Sequence, residues 1–194
     1  MKRTIKKEDL LTLEEYIPIR RNMRSIMIMK KKKRRVYLGP FVVLNFENYE
    51  TILSQIQEML YIEKGGDEQV SEEIEAYNPL VPQGNELVAT MLIEIEEEIR
   101  RKRILSKLGH IEKSLVLFID NEEIIGTPED DIDRTNEEGK TSAVHFITFK
   151  LSNSQISKFK KDVVKISFGI NHKEYNHTAV ISKECKNELL VDLV

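Results

Sequence analysis

The chain has 194 residues, 40% hydrophobic and 32% charged, with 30 Lys and Arg against 33 Asp and Glu for a formal net charge of −3. That length suits one domain, and the apolar share can supply a core, so neither a two-domain enzyme of ordinary size nor a wholly disordered chain is expected. A single cysteine, Cys185, excludes an internal disulfide framework and zinc sites built from cysteine pairs, and no apolar run reaches the roughly 18 residues of a membrane span.

Charge is divided unevenly. Residues 1–35 hold 13 Lys and Arg and 4 Asp and Glu, a net of +9, and the remaining 159 residues carry a net of −12. The basic excess peaks in the run Lys30, Lys31, Lys32, Lys33, Arg34 and Arg35. Such halves attract each other within a chain or between copies.

In chain order, EDLLTLEEYIPIRRNMRSIMIMKKKKRR predicts a short helix, a break at Pro18 and a second helix bearing Ile19, Met23, Ile26 and Met27 at helical spacing. RRVYLGPFVVLNFEN then predicts two strands around a Gly39-Pro40 turn. In the next block, Tyr49, Ile52, Leu53, Ile56, Met59 and Leu60 recur at helical intervals, with Asn48 as N-cap and Gly65-Gly66 as the stop. This helix is expected to bury Ile52, Ile56, Met59 and Leu60 against the sheet. A shorter acidic helix over 67–77 and a Pro-rich loop lead to LVATMLIEIE, whose Leu87, Ala89, Met91, Ile93 and Ile95 share one strand parity.

A charged helix over 97–108 precedes the strands SLVLFID and EEIIG. Residues 127–141 read as a mobile acidic loop, with one strong hydrophobe in the stretch. The last third predicts a strand at AVHFITF, a small helix, a strand at VVKISFG, a hairpin around HKEYN and a terminal helix. Helices and strands alternate without regular βαβ units. The expected fold is therefore a single α+β domain over 1–194, a largely antiparallel mixed sheet packed by helices, with 1–35 as its basic helical segment.

Walker A, GxGxxG, HExxH, GxSxG and EF-hand patterns are absent. The candidate chemistry is a histidine/carboxylate metal site. His145 lies on a strand apolar on both faces, and His172 and His177 flank a hairpin turn that can return beside it. Glu58 and Glu94 are the acidic partners, on the clearest helix and on the strand that follows. Imidazole and carboxylate donors select Fe, Mn or Zn. The basic run Lys30–Arg35 is expected to dock an acidic or redox protein partner. Nucleic acid is not expected there, since no aromatic residue interleaves the run before Tyr37, and Pro18 argues against a membrane-surface helix.

Several blocks in order, RRVYLGPFVVLNFENYETILSQIQEML, EIEAYNPLVP, ELVATMLIEI, SAVHFITF and GINHKEYNH, resemble an uncharacterised bacterial family of about this length, the domain of unknown function numbered three-five-zero-one. The matching positions include Glu47, Thr51, Gln55, Glu58, Tyr77, Thr90, Glu94, His145, His172, Tyr175 and His177. The resemblance implies a bacterial cytoplasmic protein linked to redox or iron handling, and it carries no established catalytic residues. The functional expectation is a non-enzymatic accessory or interaction protein, homodimeric. The alternative is a metal-binding redox protein or metal-dependent enzyme built on the five residues above.

Overall fold

The computed structural model describes residues 2–129 and 134–194. Thr12 opens the first helix with a capping box: its hydroxyl accepts from the Glu15 amide at 3.3 Å, and the Glu15 carboxylate accepts from the Thr12 amide at 2.9 Å. From that cap, α1 (Leu13–Lys33) runs for 21 residues straight through Pro18. The expected break is absent for a local reason. Proline this early in a helix deletes one bond, to the Glu14 carbonyl, and both residues face solvent, where water replaces the missing donor.

Two antiparallel sheets follow rather than one. β1 (Arg35–Leu38), β2 (Val42–Glu47), β3 (Glu86–Ile93), β6 (Thr127–Pro128) and β7 (Val144–Lys150) form a sheet in the order β1-β2-β3-β7-β6. β4 (Leu115–Ile119), β5 (Glu122–Ile125), β8 (Ile166–His172) and β9 (Tyr175–Val180) form a second in the order β5-β4-β8-β9. Their facing sides make the main core. Leu87, Ala89, Met91 and Ile93, on the strand parity expected for β3, are at most 3% exposed. Phe168 of the second sheet packs against Phe46 and Phe149 of the first, with ring centroids 4.7 and 5.3 Å away.

The first sheet's other face is covered by α2 (Tyr49–Glu63) and α3 (Gly66–Tyr77). Asn48 caps α2 as expected, its side chain accepting from the Thr51 amide at 3.0 Å, and the helix ends at Lys64 in the left-handed conformation, one residue before the glycine pair. Ile52, Ile56 and Leu60 close a second apolar cluster with Leu80, Val81 and Val88. α4 (Glu98–Leu105), α5 (Asn153–Phe159) and α6 (Lys183–Leu190) complete the helices, and no described helix is long and apolar enough to cross a membrane.

The two sheets are stapled by one phenol. The Tyr175 hydroxyl of β9 donates to the Leu38 carbonyl at 2.5 Å and accepts from the Phe41 and Val42 amides at 3.2 and 3.3 Å. Those groups belong to the β1–β2 turn, where Gly39 has φ +71° and a Cβ would stand 2.5 Å from the His177 ring. Only glycine fits there. Of the stretch expected as an acidic loop, residues 130–133 lie outside the described residues; on either side, Thr127 and Pro128 pair with β7, and Thr135 bridges Thr141.

Candidate functional site

The five residues expected to share a metal occupy separate places. His145, on the core face of β7, is fully buried. Its Nε2 stands 2.9 Å from the Ser142 carbonyl oxygen, which can only accept, so Nε2 carries the proton. Nδ1 is left with its lone pair facing Glu112 Oε2 at 3.6 Å, and neither atom has a hydrogen-bond partner among the described residues. Glu112 Oε1 stands 3.7 Å from Nδ1 of His110.

His172 ends β8, where its Nε2 meets the Gly109 carbonyl at 3.2 Å and its Nδ1 accepts from the Glu174 amide at 3.2 Å. The segment 109–112 thus touches both His145 and His172 without joining them. His177 packs edge-on to Tyr175 at 4.5 Å between ring centroids. Glu58 takes two bonds from Arg20, at 2.8 and 2.9 Å, and one from the Tyr16 hydroxyl at 2.6 Å. The Arg20 guanidinium holds the Glu58 carboxyl below the ordinary carboxylate range. Glu94 accepts from Arg35 at 2.8 Å.

Among the described residues, no three of His, Cys, Asp and Glu are arranged to hold a metal ion. Glu112 escaped the sequence reading. Its one signal there is the His-x-Glu spacing of GHIEK, which brings His110 beside it but cannot show His145 arriving from another strand.

Burial, the largest influence, lowers the basicity of His145 below that of a free imidazole, against the opposing effects of the Ser142 hydrogen bond and Glu112; Arg134 adds to the lowering. The unfolded chain therefore takes up a proton near pH 6.5 while the folded chain stays neutral. Protons favour the unfolded state, so stability falls as pH drops below about 6.5, by at most about 1.4 kcal/mol per pH unit from this group. Urea unfolding at about pH 7.5 and about pH 5.5 should show a smaller loss for His145→Gln than for the parent. Equal losses in the two proteins would remove His145 as the cause. Cys185 is also buried, and burial raises its thiol to about 11, far from a thiolate nucleophile at neutral pH.

The basic run divides where the helix ends. Lys30 pairs with Glu50 at 2.5 Å and Lys33 with Glu184 at 3.2 Å, so part of the positive segment answers acidic groups of the same chain. Arg34 leaves the surface altogether. It is 2% exposed, bonded to the Phe46, Glu47 and Glu188 carbonyls and paired with Asp192. Lys31 and Lys32 have no ion-pair partner among the described residues and remain the freely presented part of the expected docking patch.

α1 is the least covered of the six α-helices among the described residues. Only Tyr16 of its 21 residues is buried. Ile19, Met23, Ile26 and Met29 are exposed by 41, 40, 39 and 60%. The first three, at i, i+4 and i+7, share one helical face. Met23 and Ile26 of that face also line a groove of about 520 Å³, together with Tyr16, Met27, Leu11, Tyr49 and Leu53.

The family described as "Protein of unknown function (DUF3501)" matches residues 4–193 of the chain. Among solved structures, the chain is similar to a crystal structure described as a novel protein of unknown function from Burkholderia pseudomallei K96243. The two are 38% identical with a TM-score of 0.91, over 98% of this chain and 100% of that one. No curated protein matches.

Proposed function

The chain belongs to the DUF3501 family, a bacterial family of proteins of unknown function, and we propose that it is a non-enzymatic accessory protein working as a homodimer joined through α1. The observation that carries this reading is the Ile19, Met23, Ile26 stripe, left in water beside an apolar groove. Contiguous exposed apolar surface of this kind marks an interaction site.

Charge selects a second copy as the occupant. α1 begins with Glu14 and Glu15 and ends with Lys30, Lys31, Lys32 and Lys33. An antiparallel pair crossing near Met23 sets each acidic first turn against the partner's basic last turn, and opposes the helix dipoles. The same crossing lays Ile19 of one protomer near Ile26 of the other and satisfies two-fold symmetry.

Sedimentation equilibrium should give about twice the chain mass of 22.7 kDa at micromolar concentration. Ile19→Asp combined with Ile26→Asp should return it to the monomer mass as a folded chain, its melting temperature lower by what association adds, because each side chain keeps about two-fifths of its surface in water in the single chain. Lys32→Glu, which leaves Lys31 in place, should weaken the dimer most at low salt. A parent that stays at the monomer mass up to about 100 µM would sink the proposal.

A further inference from the structure

The first sheet's helix-covered face carries a polar row. Antiparallel register sets Arg35 of β1 opposite Asn45 of β2, Asn45 opposite Thr90 of β3, and Thr90 opposite Phe146 of β7. Adjacent strands lie about 4.7–4.9 Å apart, so these side chains form a line across four strands. Glu47 stands two residues beyond Asn45, on the same face of β2. The helices roof this face incompletely and leave a cavity of about 440 Å³, to which α1, α2 and α3 contribute Lys31, Gln55 and Tyr77.

Two opposite charges on the cavity wall are incompletely answered. Glu47 is 7% exposed, and its carboxylate accepts from the Thr90 hydroxyl at 2.8 Å and the Thr51 hydroxyl at 2.5 Å. Among the described residues no cation pairs with it: Arg34 is paired with Asp192, and Arg35 with Glu94. A buried carboxylate without a counter-charge is costly, and a bound cation relieves that cost. On the neighbouring strand, Arg35 uses one terminal nitrogen, Nη2, on Glu94, while the other, Nη1, makes no hydrogen bond among the described residues. Lys31 adds a second cation free of any ion pair among the described residues. Asn45, Gln55 and Tyr77 line the same space with no side-chain hydrogen bond to another described residue.

We propose that this cavity binds a free amino acid with an apolar side chain. Its ammonium sits at Glu47, beside the oxygens of Asn45 and Thr90. Its carboxylate meets Arg35 Nη1 and Lys31. Its side chain lies on Leu80, Leu92, Val144 and Phe146. One ligand carries both charges, because a plain amine leaves Lys31 unanswered and a plain acid enters a cavity already lined by Glu47 and Glu94. The volume falls at the small end of ligand pockets, which run from about 300 to about 1,000 Å³, and suits one amino acid rather than a peptide. This site does not depend on the dimer, since every residue in it comes from one chain.

Calorimetric titration of the full chain with L-leucine, L-methionine and L-phenylalanine tests the proposal. At least one should bind with a dissociation constant at or below about 1 mM. The analogues of that ligand lacking either the carboxylate or the ammonium (for leucine, isoamylamine and isocaproate) should each bind at least about tenfold more weakly, as for the loss of a charge-assisted hydrogen bond. Glu47→Gln and Arg35→Met should weaken the amino acid by a similar factor. The analogue comparison uses the unaltered protein, so its outcome stands even if a variant fails to fold. No binding of the three up to about 10 mM, or analogues as tight as the parent ligand, overturns the assignment.

Discussion

Arg34→Ala is expected to cost about 3–5 kcal/mol of folding stability, the range for removing one partner of a buried ion pair. The guanidinium ties three parts of the chain together. Nε donates to the Phe46 carbonyl of β2 at 3.0 Å, Nη1 to the Glu188 carbonyl of α6 at 2.8 Å, and Nη2 to the Glu47 carbonyl at 3.2 Å and to Asp192. Both charged side chains are 2% exposed. Truncation leaves three carbonyls and a carboxylate without their donor, inside the protein, where water cannot replace it. For a chain of this length each kcal/mol is worth about 2–4 °C, so the melting temperature should fall by roughly 6–20 °C. Pairing Arg34→Met with Asp192→Leu removes both charges together and should recover much of the loss. A drop of under about 1 kcal/mol for the single variant would show that the pair does not hold these elements.

Ile56→Ala comes second, at about 2–4 kcal/mol, from lost transfer energy plus the cavity left behind. Ile56 is fully buried on α2, within the apolar cluster that also holds Ile52, Leu60 and Val88 of β3. The helix is held at both ends, by the Asn48 cap and the left-handed Lys64, so it cannot slide to fill the space. The denaturation midpoint should shift with an unchanged denaturant slope. A loss below about 0.5 kcal/mol would mean that the site collapses around the smaller side chain.

The two variants differ in how readable they are from the sequence. Ile56 announces itself: neighbours at i−4 and i+4 are apolar, and the periodicity alone assigns its face. Arg34 sits in a run of six cations that reads as one solvated patch, and nothing local separates it from Lys33. The separation comes from the change of period. α1 ends at Lys33, β1 begins at Arg35, and the residue between them is swung under β2 and α6. Pro18 misleads in the opposite sense, since its residue type predicts a break that solvent exposure of the second turn removes.

The candidate sites divide in the same way. Burial of His145 follows from strand parity, because β7 is apolar on both faces. Its neighbour Glu112 does not, because the contact spans 33 positions and depends on how the segment before β4 crosses the first sheet. The Arg35, Asn45 and Thr90 row has a faint trace in the alternation of β2 and β3, where Asn45 and Glu47 share one parity and Thr90 interrupts another. The register that aligns them across strands is set by hydrogen bonding between segments far apart in the chain.

By itself, then, the sequence determined most of the elements, the buried positions Ile52, Ile56 and Leu60 of α2 and the core parity of β3, and the antiparallel α+β class, because period, capping and turn chemistry act within a few residues. Only the tertiary structure decided that the strands split into two facing sheets, that the five expected ligands stand apart, that Arg34 is internal, and that α1 keeps an apolar stripe in water. Each of those depends on which distant segments meet. Burial and the partners of each charge follow from that meeting rather than from the residue type alone.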